Sequence, residues 1–235
     1  MWLTQARAIA RKELREGLRT GWKFVLQILG LAVFLNWFVV RSYVATVGKD
    51  ARLLQLAASM SLIYVSLMVI PYIANALLVR SLVEERHKQT ILPLLATGTP
   101  PVAIWLTKLV VAFAVSYAAM LVSLGLHALM IVYYWHIPLY FTPQILLGAL
   151  VVTPLLALAV VALTALVFWA FYHTHLVASV IPVVVAMSTW GFAYNSPGGD
   201  ILRRIMIVSF VAPPFIIFMG AIYIARMPRR RIAGL

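Results

Sequence analysis

The sequence predicts an all-α membrane protein with six transmembrane helices, and three observations predict it. Of its 235 residues 64% are hydrophobic and only 11% are charged, whereas a water-soluble domain carries roughly a quarter charged residues. Six charge-free apolar runs follow one another: Phe24–Val40, Leu53–Val79, Leu109–Tyr134, Ile145–Phe171, Leu176–Asn195 and Ile205–Ala225. Each is of the order of the roughly 20 residues that cross a hydrocarbon core as a helix. A membrane β-barrel would instead show alternating segments of about ten residues.

The third observation is where the charge lies. There are 19 Lys and Arg against 6 Asp and Glu, an excess that invites a nucleic-acid partner until its placement is examined. Arg7, Arg11, Lys12, Arg15, Arg19 and Lys23 precede the first run. Arg80, Arg86, Lys88 and Lys108 lie between the second and third, and Arg226, Arg229, Arg230 and Arg231 follow the last. The odd-numbered connections hold Arg41, Lys49, Arg52, Arg203 and Arg204. Basic residues are retained on the inner side of a membrane, so both termini and the even connections are expected in the cytoplasm. The charge is topological, and no nucleic-acid partner is expected.

Taken in order, residues 2–21 read as an amphipathic helix lying in the inner membrane surface. Leu3, Ala6, Ala10, Leu14 and Gly17 recur at helical spacing, with Arg11, Lys12, Arg15 and Arg19 largely opposite. Trp2 and Trp22 bracket it, as suits the headgroup region, and the bases would face anionic lipid. A plain juxtamembrane segment that only sets orientation is the alternative. The first span, about 24–43, reaches past Arg41, whose side chain can snorkel. The others are placed at about 53–79, 109–134, 145–171, 176–195 and 205–225. Pro71, Pro154, Pro182 and Pro213–Pro214 fall inside spans and predict kinks that neighbouring helices must compensate. The outer connections are too short to fold alone, so residues 1–235 form a single membrane domain. No stretch resembles a cleaved signal peptide, and the absence of cysteine excludes disulfides and thiol–metal sites.

Several chemistries are missing. None of the six acids lies inside a span, although ion-coupled carriers usually place an ionisable group at membrane depth. His127, in the third span, is the one candidate, and a neutral histidine bonded to a neighbouring helix is the plainer reading. Gln27, Asn36, Gln55 and Asn75 read as interhelical ties or the polar lining of a path. His173 and His175 flank a tight turn without an acid or thiol to complete a metal site. No phosphate-binding GxxxxGK[ST] loop occurs, so the chain has no nucleotide site of that kind.

The connection 80–108 differs from everything around it. Within "VEERHKQTILPLLATGTPPVAIWLTK", Glu84 and Glu85 end a long helix, Ile91, Leu94 and Leu95 form a short apolar ridge, and Pro100–Pro101 stop it. Val102–Lys108 then lead into the third span. Such a ridge needs covering by lipid or by a docked protein. This segment resembles the intracellular loop between spans two and three of ABC-2-type transporter permeases. Glu85, Arg86, Thr90, Ile91, Leu94, Leu95, Thr97 and Lys108 fall on positions of that family's pattern. His87, Gln89, Gly98 and Thr107 depart from it. The resemblance extends to the amphipathic "elbow" helix, the six spans and the small second inner turn.

The resemblance implies a permease subunit of an ATP-binding-cassette exporter in a prokaryotic cytoplasmic membrane. Two permease subunits, alike or different, would form the path at their interface. Separate ATPase subunits, binding ATP and magnesium, would grip the first loop at Glu84, Glu85, Arg86, Thr90, Ile91, Leu94, Leu95 and Thr97, with a lesser contact at Tyr172, His173 and His175. The chain itself would hold no cofactor and would not be an enzyme. The family's path is lined by spans one, two and five, which singles out Gln27, Asn36, Gln55, Asn75, Ser188 and Thr189. An amphipathic lipid, peptide or drug-like cargo is expected, and an ion-coupled carrier working without an ATPase is the alternative.

Overall fold

The computed structural model describes residues 7–13, 15, 26, 30, 33–34, 37–38, 40–41, 51–85, 96, 98–170 and 200–227, and the secondary structure among them is helical throughout. Helix α1, Ala51–Leu78, continues without a break through a π-helical turn, Val79–Glu84. Helix α2 is Pro101–Tyr133. Helix α3, Pro143–Leu147, a second π turn, Gly148–Val152, and helix α4, Thr153–Ala170, make one continuous rod. Helix α5 is Asp200–Arg226. Four segments are long and apolar enough to cross a membrane: Leu54–Leu82, Pro101–Tyr133, Pro143–Ala170 and Ser209–Arg226. They correspond to the second, third, fourth and sixth expected spans. The first expected span is described only at scattered helical positions, and the fifth, with Pro182, lies outside the described residues.

The helix ends follow local chemistry. Gly98 turns the chain at φ 78°, a left-handed conformation that glycine adopts without a Cβ penalty. Pro100 is extended at φ −65°, ψ 134°, as a residue before proline prefers, and Pro101 opens α2 at its first position. The proline pair therefore starts a helix, and α2 begins well before the expected span at 109. Val102–Lys108 are its first turns, not a lead-in. Thr142 caps α3 by accepting from the Ile145 N–H at 3.3 Å, again ahead of a first-turn proline. At its far end α2 closes around His136, a non-glycine residue at φ 54°.

Pro154 leaves one carbonyl of the third rod in need of a partner. It offers no N–H to the Leu150 carbonyl four residues back, and the Tyr117 hydroxyl of α2 donates to that oxygen at 3.1 Å. Thr153 adds a bond from its hydroxyl to the Gly148 carbonyl at 2.7 Å. Gly148 itself faces α1 closely, since a Cβ there would stand 3.0 Å from Ile63 Cδ1. Tyr117→Phe is expected to cost about 0.6 kcal/mol, the mean for interhelical hydrogen bonds in a membrane bundle, read as a small drop in denaturation midpoint in detergent.

Helix α1 packs on both α2 and α4, and α4 on α5. The main core runs along the helix contacts, from Leu62, Leu124 and Ile145 to Leu78, Ile104, Trp105, Leu109, Phe168 and Ile224 near the end that carries the α1–α2 connection. Fully buried alanines on α4, Ala157, Ala162 and Ala165, let backbones approach where no hydrophobic force separates helix from lipid. The opposite end is aromatic: Tyr133, Tyr134, Tyr140 and Phe141 are exposed there, and Trp135 packs against Trp37 at 6.0 Å between ring centroids. Aromatic belts of this kind mark a membrane–water interface.

Candidate functional site

Buried hydroxyls run along the α1–α2 contact, and their first partners are helical carbonyls. Ser66 bonds back to Leu62 at 3.1 Å and Ser116 to Ala112 at 2.6 Å, which lets a polar side chain sit in an apolar helix. His127 lies on this seam, fully buried, with Nε2 2.7 Å from the Ser61 hydroxyl oxygen. The Ser61 hydroxyl also lies 2.6 Å from the Ala58 carbonyl, which can only accept its single proton. The imidazole N–H therefore donates to Ser61. That polarity is a cross-helix tie and the reverse of what a histidine base needs to activate a serine.

The charged end holds a denser arrangement. Lys108, on the third turn of α2, has a side chain 0% exposed. Its ammonium has three protons and three acceptors: Glu13 Oε1, Glu85 Oε2 at 2.9 Å and the Ser81 carbonyl at 2.8 Å. Lys12 donates to the other Glu85 oxygen at 2.6 Å from a half-exposed position. Two bases and two acids thus join three elements: the N-terminal helical segment 7–13, the end of α1 and the start of α2. Ile9, one turn before Glu13, is buried in the same main core. The helical turn brings Ser81 and Glu85, four residues apart, onto one face below Lys108.

A buried ammonium is tolerated only when its protons are matched and its charge is balanced, and this cluster does both. Burial pushes the Glu13 carboxyl above the ordinary glutamate range, and the attraction of Lys108 does not fully offset it. Burial acts on Glu85 in the same sense, but Lys108 and Lys12 together outweigh it and hold that carboxyl low. The signs for stability are opposite. The contribution of Glu85 is present above its unfolded value and is lost as pH falls through its lowered folded value. That of Glu13 is present in acid and is lost as pH rises through its raised folded value.

Among the residues singled out by sequence, Glu85 and Lys108 meet in this cluster, joined by Lys12 and Glu13. Glu84 is in the π turn. Arg86, Thr90, Ile91, Leu94, Leu95, Thr97, Tyr172, His173 and His175 lie outside the described residues, as do Gln27, Asn36, Ser188 and Thr189. Gln55 is half-buried on α1, its main-chain carbonyl accepting from the Ser59 hydroxyl at 2.8 Å. Asn75 is half-buried, and its enclosed side-chain oxygen has no hydrogen-bond partner among the described residues. No group of acids, histidines and cysteines that could hold a metal occurs among the described residues.

Sequence reading missed the role of Lys12 and Glu13. A signal existed: Glu13 follows Ile9 by four residues and so falls on the apolar side of an otherwise basic helix. An acid there calls for a buried cation. Comparison of the chain with protein-family models, with curated proteins and with solved structures finds no match.

Proposed function

We propose that this chain is the membrane permease subunit of an ATP-binding-cassette exporter, working as a dimer driven by separate ATPase subunits. The observation that carries the reading is the stem of the α1–α2 connection. Helix α1 runs on through Glu85, α2 starts at Pro101, and Lys108 ties the two together and to the N-terminal segment. A push on residues 86–100 would be delivered to two helices at once, through a joint with no slack. In this reading both termini and the connection face the cytoplasm of a prokaryotic cell. Ile91, Leu94 and Leu95 meet the ATPase together with Glu84, Arg86, Thr90 and Thr97, and Tyr172, His173 and His175 make the smaller contact. Glu85 serves the stem. ATP and magnesium belong to the partner. Asn75, Gln55, Gln27, Asn36, Ser188 and Thr189 are the polar candidates along a path for an amphipathic lipid, peptide or drug-like molecule.

The test separates docking from the stem. In vesicles holding the chain and its ATPase, Leu94→Arg is expected to reduce ATPase capture at least tenfold, because a charge in a contact of this kind must be desolvated. The fold, followed by denaturation midpoint, is expected to be unchanged. Full capture and ATP-driven transport by Leu94→Arg would overturn the reading. Ion-gradient-driven uptake by the chain alone, abolished in His127→Leu, would establish the carrier alternative.

A further inference from the structure

We infer that Arg7, Arg11 and Arg15 form a docking stripe for the phosphates of anionic lipid headgroups, with its direction set by the joint between Glu13 and Lys108. The inference concerns the chain by itself and stands whether or not an ATPase docks on the connection.

Three features of the fold lead to it. The first is roll. Ile9 is buried in the core and Glu13 is bonded to Lys108, so one side of the N-terminal segment is pinned to the bundle. Arg7, Arg11 and Arg15, at four-residue spacing, are exposed, and among the described residues none of the three makes an ion pair or hydrogen bond. Lys12 and Glu13 are engaged inside the cluster, so neither offsets the charge of the three arginines.

The second feature is depth. From Tyr133, at the aromatic end, to Lys108 is 25 residues of continuous helix, about 37 Å at 1.5 Å per residue. The hydrocarbon core spans about 30 Å, and about 40–45 Å with headgroups. With the aromatic belt at one interface, Lys108 and the segment it holds lie at the headgroup level of the other, where lipid phosphates are.

The third is chemistry. The guanidinium fork matches phosphate oxygens in two-point hydrogen bonds and is weakly hydrated, so arginine at that depth selects phosphate-bearing anions. The arginine side of another copy of this segment would be repelled by the stripe, so a dimer contact would have to form elsewhere on the chain.

The chain lacks cysteine, which permits a clean test. Ala8→Cys places a fluorophore on an exposed position beside the stripe. Energy transfer to headgroup-labelled phosphatidylglycerol and phosphatidylcholine is then compared in nanodiscs containing both lipids. The expected result is enrichment of the anionic lipid around the label. It should be screened by salt and fall on the order of fivefold for each arginine replaced by glutamine. The Arg7→Gln, Arg11→Gln, Arg15→Gln triple variant should show none and keep its denaturation midpoint. Lys12→Gln, which weakens the cluster but leaves the stripe, should retain most of the enrichment. Equal enrichment in the triple variant, or none in the unaltered chain, overturns the inference. So does a stripe that ignores phosphatidylglycerol and binds only a soluble polyanion such as RNA.

Discussion

Lys108→Met is expected to destabilise the folded chain by about 3–5 kcal/mol, the cost of removing one partner from a buried ion pair. The methionine fits the space, so the loss is electrostatic. The Glu13 and Glu85 carboxylates, each with a side chain 11% exposed, would face one another with Lys12 as the remaining base of the cluster. Denaturation in mild detergent is the measurement, with the midpoint compared at neutral and acidic pH. Acid should restore part of the loss, because protonating the two carboxyls removes the repulsion that Lys108 had quenched. The neutral triple, Lys108→Met with Glu13→Gln and Glu85→Gln, should recover most of the remainder, since replacing a whole buried charge group is often close to neutral. If Lys108→Met is as stable as the unaltered chain at neutral pH, the cluster does not hold the three elements together. The same variant should leave ATPase docking at Leu94 intact while weakening transport, which separates the stem from the surface it carries.

Helices showed in the sequence where apolar runs were long and uninterrupted, because lipid forces every backbone group to be bonded within its own segment. The four long helices of the described residues follow those runs. Their ends were less legible. Hydropathy stops α2 at Leu109, because Lys108 is charged, yet the helix begins at Pro101. A lysine buried among acids does not break a helix, and hydropathy sums cannot register an ion pair made by residues 95 positions apart. The π turns were invisible for a similar reason. The one at Gly148–Val152 depends on Pro154 and on Tyr117 from another helix reaching the Leu150 carbonyl. The positive charge excess singled out particular segments, but not the division of labour within one of them. Lys12 and Arg11 are neighbours, and only the register of the segment against Glu85 turns one inward and the other outward.

Trp105→Ala is expected to approach the about 3–5 kcal/mol of buried aromatic truncations, and Trp105→Phe to cost far less. Trp105 is 0% exposed, one turn before Lys108 and beneath the cluster, so its indole supports the same joint. The indole N–H has no hydrogen-bond partner among the described residues, an unfavourable state that phenylalanine removes while keeping much of the packing. Gly220 of α5 reports how tightly the ring is held. A Cβ at that position would stand 3.1 Å from Trp105 Cη2 and 3.4 Å from Cζ2, atoms of the outer indole ring. Gly220→Ala should therefore cost about 1–3 kcal/mol by overpacking. In the Trp105→Phe background, where those outer atoms are gone, the same change should be nearly free. A double-mutant cycle on denaturation midpoints would then give a coupling of about 0.5–3 kcal/mol, favouring the pair over the sum of the singles. Additive costs would mean that α5 does not pack against the indole. The wedge between α5 and the base of α2 would then play no part in fixing the charged end.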